Sequence, residues 1–127
     1  MTDRTGTGSQ DLGGVPSSRA ERLARQRQAA ALLGKMLERA AAEGLPPIAW
    51  TVRESATLAG HCRAAGRDER RQEFTAWRDA MSRWAGQTAD DERHTDSLGT
   101  VRLWAQWERY ECVHVTIAAE IHAEDEL

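Results

Sequence analysis

The sequence predicts an α+β domain: a two-layer sandwich of two helices on a four-stranded antiparallel sheet, in the order α-β-β-α-β-β. Three observations predict it. Between Thr100 and His122 apolar and polar residues alternate in two nearly adjacent runs, the period of strands with one buried face. Two segments carry apolar residues at the spacing of an amphipathic helix. A shorter alternating stretch follows Pro46-Pro47 and supplies another hairpin.

Residues 1–17 are rich in Gly, Ser, Thr and Asp, too poor in apolar groups to offset the entropy of ordering them. A disordered tail is expected. Ser18 with Glu21 three positions on forms a capping-box pattern that opens the first helix. Leu23, Ala30, Leu33, Leu37 and Ala40 recur at helical spacing, and Leu32 and Met36 widen the stripe. Gly44 suits the left-handed position after the last turn, and the prolines forbid continuation, so the helix ends near Glu43.

Ile48, Trp50 and Val52 alternate with Ala49, Thr51 and Arg53, which predicts a strand. Glu54-Ser55-Ala56 connects it to a weaker strand over 57–63, with Leu58, Gly60 and Cys62 on one face. Gly60 there marks a bulge or a close helix contact. Ala64-Ala65-Gly66 breaks the strand, and Asp68 is the expected cap of the second helix. Phe74, Trp77, Met81 and Trp84 form its apolar stripe, Arg70, Arg71, Glu73, Arg78, Asp79 and Arg83 its solvated face, and Gly86 its end. Residues 87–99 are polar and acidic and read as a long loop. Two strands follow, with Val101, Leu103 and Trp107, then Val113, Val115 and Ile117, facing the core. Glu124, Asp125 and Glu126 close the chain as an acidic end beyond a domain spanning 18–123.

A chain of 127 residues suits one domain. A net charge of −3 from 17 basic and 20 acidic residues argues against a general nucleic-acid binder, without excluding a local basic patch. No apolar run approaches the ~20 residues of a membrane span, and the N-terminus lacks the apolar core of a signal peptide. Two cysteines are too few for a disulfide framework. The expected setting is cytoplasmic, with reduced thiols and no membrane partner.

Chemistry-bearing patterns are sparse. His61-Cys62 and Cys112-x-His114 contain zinc-ligand types. Adjacent strand residues point to opposite faces, however, and the C-x₂₋₄-C spacing is missing, so no metal is expected. No nucleophile elbow, P-loop, dinucleotide fingerprint or H-E-x-x-H occurs. Asp90, Asp91, Glu92 and His94 gather carboxylates near an imidazole, on a stretch read as loop. No catalytic residue and no cofactor are assigned.

If both helices cover one side of the sheet, the other side shows Arg53, His61, Arg63, Arg102, Trp104, Gln106, His114, Thr116 and His122, with Glu108 and Glu120. A ring among basic and hydrogen-bonding groups can dock a partner peptide or stack a base.

Ile48-Ala49-Trp50-Thr51-Val52, Leu58-Ala59-Gly60-His61-Cys62, Phe74-Thr75-Ala76-Trp77-Arg78 and Gly99-Thr100-Val101-Arg102-Leu103 resemble stretches of small uncharacterised actinobacterial proteins. Those are often associated with phage-like or integrated mobile elements. The resemblance covers roughly residues 45–123 and contains no catalytic motif. It implies a cytoplasmic accessory protein rather than a metabolic enzyme.

The expected function is binding, most plainly of another protein chain or a second copy, through Trp104, Arg102, Arg53, His61 and His114. The alternative is a nucleic-acid accessory role using Arg19, Arg22, Arg25 and Arg27 at the start of the first helix. A weaker alternative is an enzyme or metalloprotein using His61, Cys112 and His114.

Overall fold

A computed structural model describes residues 18–122. The expected tail (1–17) and acidic end (124–127) lie outside the described residues. The elements run α1 (Arg19–Glu43), β1 (Ala49–Arg53), β2 (Thr57–His61), α2 (Arg67–Ala85), β3 (Asp90–Thr95), β4 (Val101–Tyr110) and β5 (Val113–Ile121). The class is α+β, as expected. The sheet, however, has five strands in the order β1-β2-β5-β4-β3, and it is mixed, because β2 and β5 pair in parallel while the other neighbours are antiparallel.

The fifth strand corrects the expectation of a loop over 87–99. Every residue of β3 is exposed, so no apolar alternation marks it. Its backbone pairs with β4 from Asp90↔Gln106 to Thr95↔Val101. The Asp96 carboxylate accepts from the amides of Leu98 and Thr100 and closes the turn between them.

The start of α1 forms as its capping box dictates. The Glu21 amide donates to the Ser18 hydroxyl oxygen, and the Ser18 amide donates to the Glu21 carboxylate. These bonds hold the Glu21 carboxyl below its ordinary pKa. The helix ends on Gly44 in the left-handed region, φ 72°, where glycine escapes the steric cost of a Cβ. Its buried stripe is Ala29, Leu32, Met36 and Ala40, about one position round from the expected one. Leu23 is 56% and Leu37 47% exposed, and Ala30 is exposed.

The cap of α2 is also corrected. It is Gly66, with no side-chain bond, and Asp68 lies in the first turn, where its charge still favours the helix dipole. Several members of its expected solvated face are engaged: Arg70 bonds three carbonyl oxygens, Glu73 accepts from the Ala64 amide, and Arg78 and Arg83 form ion pairs.

Both helices lie on one face of the sheet. Ala29, Leu32, Met36 and Ala40 of α1 and Phe74, Trp77 and Met81 of α2 share one core with Leu58, Cys62, Ala105, Trp107, Val113, Val115, Ile117, Ala119 and Ile121. Ile48, Trp50, Val52, Val101 and Leu103 are partly buried against it. The two helices also touch each other. The Trp84 indole N–H donates to Glu43 at 2.8 Å, and Arg83 ion-pairs with the same carboxylate. The Arg39 guanidinium lies 5.8 Å from the centre of the Trp84 ring.

At the centre Trp77 meets Trp50 and Trp84 edge-on, at 5.3 and 6.0 Å between ring centroids. Its Nε1–H donates to the Pro46 carbonyl at 2.6 Å. The close contact at Gly60 is not with a helix, as expected, but with the neighbouring strand: an added Cβ would sit 3.0 Å from the side chains of Ile48 and Trp50. Among the described residues the buried Nε1–H groups of Trp50 and Trp107 have no hydrogen-bond partner, each a cost of about 1–3 kcal/mol that the burial of its ring outweighs.

The strands β4 and β5 join through Glu111 and Cys112, both at positive φ (51° and 67°), the handedness a two-residue hairpin loop requires. An irregularity between Trp107 and Tyr110 turns Tyr110 to the core side, where its hydroxyl accepts from Arg39 at 2.8 Å. Burial pushes the Tyr110 hydroxyl pKa up.

Candidate binding face

The face opposite the helices is built by strand parity. Since Leu103, Ala105 and Trp107 point to the core, Arg102, Trp104, Gln106 and Glu108 point away from it. On β5 the outward set is His114, Thr116, Ala118 and Glu120, and on β2 it is Thr57, Ala59 and His61. The pairing registers arrange these into rows across the sheet. One row reads Glu92, Trp104, Ala118, His61 and Ala49 from β3 to β1. Trp104 therefore stands between a carboxylate and an alanine and is half-buried. His61 lies two strands away, about 10 Å at the usual strand spacing, with only the Ala118 methyl between.

The next row toward the C-terminal end of β5 carries His94, Arg102 and Glu120. Arg102 and Glu120 are direct partners across strands, yet no ion pair joins them among the described residues. Here the face opens into a hollow of about 400 Å³, lined chiefly by His61, Arg63, Arg70, Arg102, Glu120 and His122. Arg70 reaches it from the first turns of α2. Its Nε donates to the Glu120 carbonyl at 2.8 Å, and one Nη donates to the Ala64 and Ala65 carbonyls at 2.7 and 3.1 Å. It thereby ties α2 and the β2–α2 connection to the end of β5. His122 lies beside Thr100, with Nδ1 3.3 Å from the hydroxyl oxygen.

Of the five residues expected on a binding face, the structure gathers Trp104, Arg102 and His61 at one end. His114 sits four positions from Ala118 along β5, some 13 Å away at ~3.3 Å per residue, with Nε2 2.8 Å from the Gln106 amide oxygen. Arg53 pairs with Thr57 at the far corner, on edge strand β1. Strand alternation puts His61, Arg63, Arg102 and His122 on the open face but does not show that they line one hollow. Arg70 gave no signal, because on a helix it reads as solvated surface.

The other candidates are dispersed. Within the Asp90–His94 cluster, Asp91 lies on the side opposite Asp90, Glu92 and His94, and it pairs with Arg78 at 3.5 Å. The trio His61, Cys112 and His114 is not assembled either. His61 and His114 occupy opposite ends of the β2–β5 pairing, and Cys112 sits in the β4–β5 turn. Among the described residues no group of three or more His, Cys, Asp or Glu is arranged to hold a metal ion. Cys62 points into the core, where burial, and secondarily the nearby Glu73, push its thiol up to about 12.

The arginines of α1 lie on a helix start that projects from the body. Residues 19–28 are exposed except for a half-buried Arg22, which ion-pairs with Glu54 in the β1–β2 turn at 3.6 Å. Among the described residues no helix is long and apolar enough to cross a membrane. Comparison with protein-family models, with curated proteins and with solved structures finds no match.

Proposed function

We propose that this chain is a binding protein whose open sheet face docks another protein chain, with Trp104 at the centre and Arg102 and His61 beside it. Arg53 and His114 lie further out on the same face and form its rim. The observation that carries the reading is the placement of Trp104: both helices cover the opposite face, and the ring stands on the open one between Glu92 and Ala118. An indole beside the Ala118 methyl gives a flat apolar platform, and the guanidinium and imidazole near it supply directional contacts. Tryptophan and arginine are the residues most often found at the energetic centres of protein interfaces, where truncation costs ~2 kcal/mol or more.

The experiment is Trp104→Ala, read on two scales. Self-association is followed by sedimentation, and association with a chain that co-purifies with the native protein by calorimetry. Binding should weaken by at least ten-fold, equivalent to about 1.4 kcal/mol, while the melting temperature moves by only a degree or two. A large fall in melting temperature with association untouched would assign the ring to packing and end the proposal.

A second reading, nucleic-acid accessory protein, is favoured by one observation: the uncovered start of α1 carrying Arg19, Arg22, Arg25 and Arg27. Phosphate contacts weaken steeply with added salt. Binding to duplex DNA that falls by orders of magnitude between low and physiological salt, and that Arg25→Gln with Arg27→Gln reduces, would favour it over the sheet face.

A further inference from the structure

We infer that the hollow beside Trp104 is an anion site, and that it takes one carboxylate, the side chain of an aspartate or glutamate on the partner segment that crosses the open face. The inference rests on the reading of that face as a docking surface and names what the docked chain must carry.

Three guanidinium groups, Arg63, Arg70 and Arg102, and two imidazoles, His61 and His122, line the hollow against a single carboxylate, Glu120. Arg63 and Arg102 have no side-chain partner among the described residues. Two guanidiniums that line one hollow repel each other, and a shared carboxylate converts that repulsion into paired charge-assisted hydrogen bonds.

The surroundings limit the ligand to one anionic group. Away from the hollow the open face turns acidic, with Asp90 and Glu92 on β3 and Glu108 on β4 pointing the same way as Trp104. A polyanion laid across the face would meet those carboxylates one after another. A lone acid seated in the hollow does not. Carboxylates are the anions that an unmodified protein segment carries.

The spacing fixes where the acid stands. Ala118, the cross-strand partner of Trp104, also lines the hollow, and Arg102 lies two residues from Trp104 on the same strand. Outward residues of a strand repeat every two positions, about 6.6 Å. An extended partner running along β4 with an apolar side chain on Trp104 thus presents its next same-face residue to the hollow. The recognised pattern is an apolar residue and an acid two positions apart.

The test uses the whole chain, isotope-labelled, and three probes: the peptides acetyl-Thr-Leu-Ser-Glu-Thr-amide and acetyl-Thr-Leu-Ser-Gln-Thr-amide, and inorganic phosphate. The glutamate peptide should cause saturable shifts in the Arg102 side-chain Nε–H and the His61 and His122 ring signals. Salt should suppress them, and the glutamine peptide should bind about ten-fold more weakly or less, the loss of ~1.4 kcal/mol. Arg63→Gln with Arg102→Gln should abolish these shifts without lowering the melting temperature, since both side chains are exposed. Equal binding of the two peptides would overturn the anion site and leave the face reading standing. Tighter binding of phosphate than of the glutamate peptide would overturn the carboxylate assignment in favour of a phosphoryl group. Absence of any shift with all three probes would overturn the inference outright. The docking face itself falls separately, on the Trp104→Ala result with the partner chain.

Discussion

Replacement of Trp77 by alanine should be the most damaging single change in the domain. The side chain is 1% exposed, packs edge-on against Trp50 and Trp84, and donates its indole N–H to Pro46 in the segment that joins α1 to β1. Truncating a buried Trp to Ala costs about 3–5 kcal/mol through lost transfer energy and the cavity left behind. The orphaned Pro46 carbonyl adds on the order of 1 kcal/mol. Since domains are stable by only ~5–15 kcal/mol, Trp77→Ala should remove much of the total. At roughly 4–8 °C per kcal/mol for a domain near 100 residues, the melting temperature should fall by more than about 12 °C. Urea unfolding followed by far-ultraviolet dichroism gives the free energy directly, with an unchanged slope showing that the unfolded reference is unaltered. Trp77→Phe separates the terms, because it keeps most of the ring and loses the hydrogen bond. It should cost at least ~1 kcal/mol more than Trp107→Phe, whose indole N–H has no partner among the described residues. A Trp77→Ala variant melting within two degrees of the parent, or equal costs for the two Phe variants, would refute this account of the core.

Three other outcomes are expected. Cys112, exposed in the β4–β5 turn, should react with a disulfide reagent at once, whereas buried Cys62, its thiol pushed up to about 12, should react only on unfolding; two fast thiols per chain would contradict this. Glu43 is held below its ordinary pKa first by the Trp84 indole and then by Arg83, so its stabilising contribution is present above the unfolded carboxylate pKa and lost as pH falls through the folded one. Glu43→Gln should therefore flatten the acid limb of a stability–pH profile and leave its neutral-to-alkaline part unchanged in shape. Changing Glu111 and Cys112 together to Asn-Gly relieves two non-glycine residues at positive φ with the preferred two-residue hairpin loop, and should raise stability by about 1 kcal/mol in urea titration; a loss would show that Glu111 and its ion pair with Lys35 outweigh the turn.

The helices and the antiparallel hairpins were legible because each declares itself locally: a capping box at Ser18, left-handed glycines at 44 and 86, alternation on β1, β4 and β5. What stayed hidden was what local pattern does not encode. In β3 both faces are solvated, so Asp90–Thr95 shows no alternation and is held as a strand by its ladder to β4. The parallel pairing of β2 with β5 joins strands separated by α2, β3 and β4, and alternation says which face a strand buries but not which neighbour it takes. On α1 the expected Leu32, Met36 and Ala40 are buried together with Ala29, while Leu23 and Leu37 turn outward. The binding face was half legible. Parity alone put Trp104, Arg102 and His61 on the uncovered side. Their convergence, and the contribution of Arg70, depended on the pairing order and on the seat of α2.

The proposed docking surface is the open sheet face and not the helical layer. The chain has five tryptophans: Trp50, Trp77, Trp84 and Trp107 belong to the helical side, and Trp104 alone points outward. The indole N–H region of a proton–nitrogen spectrum thus holds one reporter for the open face and four for the other. On titration with the co-purifying chain, or on raising the concentration of the protein itself, the Trp104 indole signal should shift while the other four stay in place. Shifts of Trp84 or Trp50 with the Trp104 signal unmoved would contradict the account.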